Sequence, residues 1–462
     1  MENHKLSYLS PLDGRYAKIT APLRAHFSEF AYIRTRMAVE INYIISLSQS
    51  LEIIRPFTED ELEILHTLEN NFSLEDAERV KEIELETRHD VKAIEYFLRE
   101  KLQKTSLLDI LEWIHFGLTS ADVNFTSLAL ELRNARDLSL MPSINSLLSQ
   151  ITNLVRDTKT IQMLARTHGQ PAVPTTFGKE MAVFLARLLK EREMLNAHKF
   201  EAKFSGAVGN YNAQIAAFPE VDWIKFNQEF FEELGLESNI ITTQILPYDN
   251  WLSYFQKLYL FNAILIDFSQ DIWRYISDGY LKLRVVEGEV GSSTMPQKVN
   301  PIDFENAEGN LGLANALLEY FIRKLPISRL QRDLSDSTVR RNFGAALGYS
   351  LIAYSSLSRG LGRIAANKDL MQSDLENRWE VVAEGAQSIL RAAEISESYE
   401  KLKALTRGKK LNQEIYTNWI ESLDVETTVK KKLHQLSPLK YFGLSEKIAE
   451  EVLALIEKDS TL

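Results

Sequence analysis

The segment Gly288-Glu289-Val290-Gly291-Ser292-Ser293-Thr294-Met295-Pro296-Gln297-Lys298-Val299-Asn300-Pro301 gathers glycines, hydroxyls, a cation and an amide into one short run. Glycines, serines and prolines at this density make a poor helix or strand, so the segment reads as a loop. Its backbone N–H groups and hydroxyls are then available to an anion, with Lys298 and Asn300 adding charge and an amide. A polar connector between helices would explain the same composition. No G-x-x-x-x-G-K-S/T phosphate loop, G-x-S-x-G elbow or G-x-G-x-x-G fingerprint competes with it. A second segment, Ala165-Arg166-Thr167-His168-Gly169-Gln170-Pro171-Ala172, sets His168 just before Gly169 and Pro171, where a helix is predicted to end. Histidine can hold and release a proton near neutrality. A lone histidine is more often structural, and nothing here has the H-x-x-x-H spacing of a metal site. The third segment, His115-Phe116-Gly117-Leu118-Thr119-Ser120-Ala121-Asp122, puts Thr-Ser where a new helix starts, and plain N-capping accounts for it.

Long helices must hold these groups in place. Only 19 Gly and 12 Pro punctuate the 462 residues. The stretches between Gly117 and Pro142, Pro142 and Gly169, Gly178 and Gly206, and Tyr248 and Gly279 contain neither and are apolar at helical spacing. Each is predicted to form a helix of about 35–45 Å. Pro142 is expected to end one helix and open the next as an antiparallel helical hairpin. In the fourth stretch Tyr254, Leu258, Phe261, Leu265 and Phe268 form one stripe, and Tyr259, Ile264, Ile266 and Ile272 widen it beyond a single face. Such a helix must be buried on most sides, in a bundle or an oligomer. No convincing period-2 run appears, so the expected fold class is all-α. Boundaries are placed near 110 and 365, giving an N-terminal helical domain 1–110, a central long-helix domain 111–365 and a C-terminal helical domain 366–462. The basic runs Arg407-Gly408-Lys409-Lys410 and Lys430-Lys431-Lys432 read as solvated faces.

Composition narrows the function classes. The net charge of −11 argues against nucleic acid or an anionic membrane as the main partner. The absence of cysteine removes disulfides, thiolate nucleophiles and cysteine metal sites. No signal peptide or run of roughly 18–20 apolar residues is visible. The expectation is a cytoplasmic protein acting on a small molecule, with no nucleic-acid or membrane partner.

Together the three segments resemble the superfamily of fumarase, aspartase, argininosuccinate lyase and adenylosuccinate lyase. The loop 288–301 is similar to its signature G-S-S-x-M-P-x-K-x-N-P. Within that group the chain looks like adenylosuccinate lyases of the longer bacterial type over nearly all its length. The resemblance is also carried by Ser10-Pro11-Leu12-Asp13-Gly14-Arg15-Tyr16, Thr87-Arg88-His89-Asp90-Val91-Lys92-Ala93, and Gln331-Arg332-Asp333-Leu334-Ser335-Asp336-Ser337-Thr338-Val339-Arg340-Arg341. Two departures are Gln297, where His or Tyr is commoner, and Arg88, where Asn is familiar.

The resemblance implies β-elimination of fumarate from a succinylamino purine nucleotide, without metal or organic cofactor. It assigns Ser292 as general base and His168 as general acid. It implies substrate contacts from Arg15, Tyr16, Arg88, His89, Asp90, Thr119, Ser120, Gln244, Ser293, Lys298, Val299, Asn300, Asn306, Arg332, Ser337, Thr338, Val339, Arg340 and Arg341. A substrate with one phosphate and two carboxylates needs clustered cations, and the arginine fork suits both groups. The family architecture implies a homotetramer whose central helices form a shared bundle, with each active site assembled from three subunits. A sibling lyase for argininosuccinate, aspartate or malate is the nearest alternative, and Arg15-Tyr16 with the basic segment 332–341 favours a nucleotide. A noncatalytic structural relative is opposed by the joint presence of His168, Ser292, Lys298 and Asn300.

Overall fold

Sparse punctuation produces long helices. The Asp249–Ser277 helix, 29 residues, fills the interval between Tyr248 and Gly279. It stops where Gly279, at φ +77°, takes the left-handed conformation that closes helix C-termini without a Cβ penalty. Trp251, Tyr254, Phe255, Leu258, Phe261, Ile264, Leu265, Phe268 and Ile272 are buried along it, whereas two of the residues expected to widen the face are not: Tyr259 is exposed and Ile266 half-buried. The computed structural model describes residues 7–284, 295, 298–398, 400, 402–403 and 411–457. Ser292, Ser293 and most of the 288–301 loop lie outside these residues, as do Arg407 to Lys410.

Two expectations are corrected. Pro142 does not separate two helices: Ser120–Ala135 runs through a π turn, Arg136–Leu140, directly into Met141–Thr158. The Met141 N–H bonds the carbonyl five residues back, at Arg136. A prolyl ring in a regular helix crowds the carbonyl four residues earlier and leaves it without a donor. The wider turn just before Pro142 eases that crowding, so the helix continues. The stretch from Pro142 to Gly169 is not helical throughout either. Helix ends at Thr158, and β1 (Gln162–Thr167) pairs antiparallel with β2 (Gln170–Thr176). His168 and Gly169 form the two-residue turn at φ +53° and +73°, the two positive values a type I′ hairpin turn demands.

Beyond this hairpin, β3 (Glu201–Ala202) lies parallel to β4 (Glu237–Ser238), and β5 (Leu281–Leu283) antiparallel to β6 (Ile364–Ala366). These short pairs decorate an all-α fold. The remaining long helices are Glu29–Gln49, Phe177–Asn196, Ile302–Lys324 and Phe343–Leu361. Among the described residues no helix is long and apolar enough to cross a membrane.

The chain forms two compact units, each drawn from three stretches. Met1–Ile144, Glu191–Ala263 and Gly309–Ala353 make the first; Asn145–Lys190, Ile264–Glu308 and Tyr354–Leu462 make the second. In the first, Phe255, Phe321 and Phe343 pack with ring centroids 4.9–5.7 Å apart, and Tyr43 meets Phe204 edge-on at 5.2 Å. In the second, Leu164 of β1 is buried in an apolar cluster with Leu375, Val382, Leu390, Tyr416, Ile420 and Leu433.

Candidate active site

In the first unit two helix starts meet. Thr119 caps Ser120–Ala135 in a capping box with Asp122. His89 caps Asp90–Leu102, its Nδ1 accepting the Lys92 N–H at 3.1 Å. That bond leaves the proton of the neutral ring on Nε2, 3.4 Å from the Ser120 hydroxyl. Arg88, just upstream, is exposed and left-handed at φ +53°. Asp90 binds the buried Arg36 at 2.6 Å. Arg36 also donates to Asn124 at 2.8 Å and lies 3.6 Å over the Tyr32 ring. Burial would raise the Asp90 carboxyl, but Arg36, the Val91 N–H and the positive charge of Arg341 outweigh it and hold the pKa below the ordinary value.

A second meeting point is Gln244, whose Oε1 accepts from Arg332 at 3.1 Å while its Nε2 donates to the Ala207 carbonyl at 3.1 Å. Asp333, next in the chain, folds the turn that opens the Ser335–Arg340 helix by accepting the Ser335 and Arg329 N–H groups at 2.8 and 2.9 Å. Those bonds and the Ser335 hydroxyl pull its pKa well down.

The Ser335–Arg340 helix sorts its residues sharply. Val339 and Arg340 are buried, Arg340 lying 3.7 Å from Asp336 and 5.1 Å over the Phe125 ring, with Tyr248 donating to Asp336 at 2.7 Å. Thr338 and Arg341 are exposed and Ser337 half-buried. Ser337, Arg340 and Arg341 line a cavity of about 170 Å³ with Ser28 and Tyr32. Arg341 also lines a larger one, about 390 Å³, with Ser10, Leu12 and Asp13 of the turn leading into Arg15 and Tyr16. Arg15 is exposed, its guanidinium 5.9 Å over the Tyr16 ring. The unit thus brings His89 to Ser120, Arg332 to Gln244, and Arg341 to the N-terminal turn. These cations, amides and hydroxyls suit an anionic ligand.

In the second unit His168 stands exposed at the hairpin tip. Buried Leu164 roots the hairpin, and Arg166 reaches Asp374 at 3.3 Å. Asp374 also accepts the Tyr280 hydroxyl at 2.5 Å; burial and that carboxylate push the phenol pKa up. Lys298 is exposed, its N–H bonded to the Met295 carbonyl at 3.0 Å, while Val299 and Asn300 are half-buried. Asn306, on the Ile302–Lys324 helix, accepts the Ser356 hydroxyl at 2.7 Å.

The sequence reading did not single out Arg36, Asn124, Tyr248 or Lys203, all of which hold these elements. Their signal is a polar or charged residue set among large apolar ones, as Lys203 is between Phe200 and Phe204.

The fold is shared with solved structures. It superimposes on a fumarate lyase from Mesorhizobium sp. with a TM-score of 0.74, covering 94% of this chain and 97% of that one at 19% identity. A 3-carboxy-cis,cis-muconate lactonizing enzyme from Pseudomonas putida gives 0.73, with 95% and 99% covered at 18% identity. The family described as Lyase matches residues 14–315, and the one described as Adenylosuccinate lyase C-terminal matches 328–442. The protein is a carbon–nitrogen lyase of this all-helical class. It is 47% identical over 455 residues to the adenylosuccinate lyase of Haemophilus influenzae, covering 98% of this chain and 100% of that one. The corresponding enzymes of Vibrio cholerae and Escherichia coli are 45% identical with the same coverage. The chain belongs to the adenylosuccinate lyase family.

Proposed function

We propose that the chain eliminates fumarate from adenylosuccinate, leaving AMP, and from the succinylaminoimidazole-carboxamide ribotide, leaving AICAR. Ser292 acts as general base and His168 as general acid. The base takes a proton from the succinyl Cβ, charge spreads into the adjacent carboxylate, and the C–N bond breaks as the acid protonates the departing nitrogen. General acid catalysis of this kind contributes about 10²–10⁴-fold in rate. Lys298 and loop N–H groups stabilise the developing charge, the larger electrostatic share. Phosphate and carboxylates fall to Arg15, Arg332 and Arg341, with Tyr16, Arg88, His89, Asp90, Thr119, Ser120, Gln244, Ser293, Val299, Asn300, Asn306, Ser337, Thr338, Val339 and Arg340 completing the contacts and their support.

End-to-end identity with bacterial adenylosuccinate lyases carries this reading. The exposed His168 on a rooted hairpin and the cations around Gln244 and Ser337 agree with it. The proposal extends to a cytoplasmic homotetramer with active sites shared between subunits. Large exposed apolar residues on the long helices support association: Tyr259, Leu260 and Trp273 on one, Leu313 and Tyr320 on another. The three-part division near 110 and 365 is retained, and the apolar cluster built mostly from residues beyond 365 supports its second boundary.

The test is direct. Purified protein incubated with each succinylated nucleotide should release fumarate and should keep its rate after exhaustive chelation. No fumarate from either substrate would sink the assignment. A rate abolished by chelator and restored by a divalent metal would sink the cofactor-free mechanism.

A further inference from the structure

Lys203 and Asp122 are a fully buried ion pair, each 0% exposed, that the proposed chemistry does not use. Desolvating two charges costs more than their attraction returns unless every remaining donor and acceptor is satisfied, and well-packed apolar residues would hold a core at least as firmly. Here the satisfaction comes from backbone. Lys203 Nζ sits 2.9 Å from Asp122 Oδ1 and donates to the Gln244 carbonyl at 2.6 Å, with the Gly206 and Thr243 carbonyls at 3.3 and 3.4 Å. Asp122 accepts the N–H groups of Thr119 at 2.9 Å and of Ser205 and Gly206 at 3.1 Å. The pair therefore clasps three strands of chain that share no ladder: the turn at Thr119, the bend at Ser205-Gly206 and the segment at Thr243-Gln244. Two of them carry candidate substrate contacts, Thr119 with Ser120 and Gln244. The Gln244 side chain in turn orients Arg332.

We propose that Lys203 and Asp122 are positioning residues for substrate binding, a buried clasp that fixes the spacing between the Thr119-Ser120 turn and Gln244 and, through the Gln244 amide, aims Arg332. Neither touches substrate. The clasp rests on the functional reading given above for those contacts. It accounts for two ions kept where apolar side chains would pack: a methyl group can fill the volume, but it cannot hold a carbonyl and an N–H at a set separation.

The experiment uses the full-length enzyme. Lys203→Met alone strands a buried carboxylate, so the main variant is Lys203→Met/Asp122→Asn, which removes both charges at nearly constant volume; Asp122→Asn alone, which keeps one acceptor, is the milder version. Folding is checked by circular dichroism and melting. The expected result is a folded double variant with KM for adenylosuccinate raised about tenfold and kcat lowered much less, and Asp122→Asn in between. Gln244→Ala is expected to raise KM in the wild-type background and to raise it little further in the double variant, because residues acting through one another are not additive. A folded double variant with wild-type KM overturns the proposal, as do Gln244→Ala and clasp effects that multiply independently. Wild-type protein that releases no fumarate overturns the functional reading itself, and the clasp with it.

Discussion

Arg340 and Arg341 are neighbours in sequence with opposite surroundings. Arg340 is 5% exposed among Asp336, Tyr248 and Phe125, whereas Arg341 stands in solvent with Glu29 at 3.4 Å. An exposed pair of that kind is worth about 0–1 kcal/mol, while breaking a buried one costs about 3–5 kcal/mol. Arg341→Ala should therefore melt near wild type and raise KM, and Arg340→Ala should lose stability first. Melting and Michaelis curves on the same samples decide it; an Arg341→Ala protein with a collapsed melt and unchanged kinetics would make that residue structural. Histidines give a pH signature. Burial, with Lys257 and Arg136 nearby, lowers the His198 pKa from 6.5 to about 4. The unfolded chain binds that proton more readily, so stability falls as pH drops from about 6.5 toward 4, by about 3 kcal/mol. His115 works in the opposite sense. Burial would lower its pKa, but Glu40 at 2.6 Å more than offsets this and raises it, so its contribution is complete below about pH 6.5 and fades as pH rises through the folded value. His198→Phe, which keeps a ring against Phe200 and Tyr254, should flatten the acid limb of a melting-temperature profile; an unchanged limb would put the titration elsewhere. Residue types marked His168 and Lys298 as candidates for chemistry. They could not announce Lys203 or Arg36, because burial of a charge is decided by partners far along the chain.

Helix ends governed by local chemistry were readable; those set by packing were not. Gly279 closes its helix by its own φ, and Thr119 opens one by its own side chain and a residue three positions on. The π turn before Pro142 and the hairpin at His168 gave no such signal. Pro171 and Pro174 and an irregular register between Leu164 and Arg166 break the alternation that marks a strand, and histidine occupies a turn position where asparagine is the usual cue. Two glycines of this region make a contrast. A Cβ on Gly169 would meet nothing within 4 Å, so Gly169→Ala costs only the left-handed backbone, about 1 kcal/mol. A Cβ on Gly178 would sit 2.5 Å from the backbone of Lys159, which cannot swing aside as a side chain can. Gly178→Ala should destabilise by about 2 kcal/mol or more by overpacking and slow fumarate release by shifting the His168 hairpin. Equal melting temperatures for the two variants would refute this ranking.

At the scale of the assembly, the proposed sharing of active sites predicts rescue between two dead proteins. In the proposed tetramer, His168→Ala would remove the acid from every site and Ser292→Ala the base. If the two groups of one site come from different subunits, random reassembly of an equal mixture leaves about one site in four intact and recovers about a quarter of wild-type activity. Were both groups from one subunit, mixing would recover nothing. Mass or tag content shows whether the tetramers are mixed.

The long helices of this fold were visible in the sequence, but the interleaving of the two compact units was not, since it depends on which distant segments meet. On the ribosome that interleaving becomes a matter of timing. The first unit needs Gly309–Ala353 and the second needs Tyr354–Leu462, so neither can close until most of the polypeptide has emerged. At about 5–20 residues per second, the earliest helices wait tens of seconds with their apolar faces uncovered. A nascent chain of this kind calls for a holding chaperone, and a premature stop anywhere before Tyr354 would yield no half enzyme, only two unfinished cores.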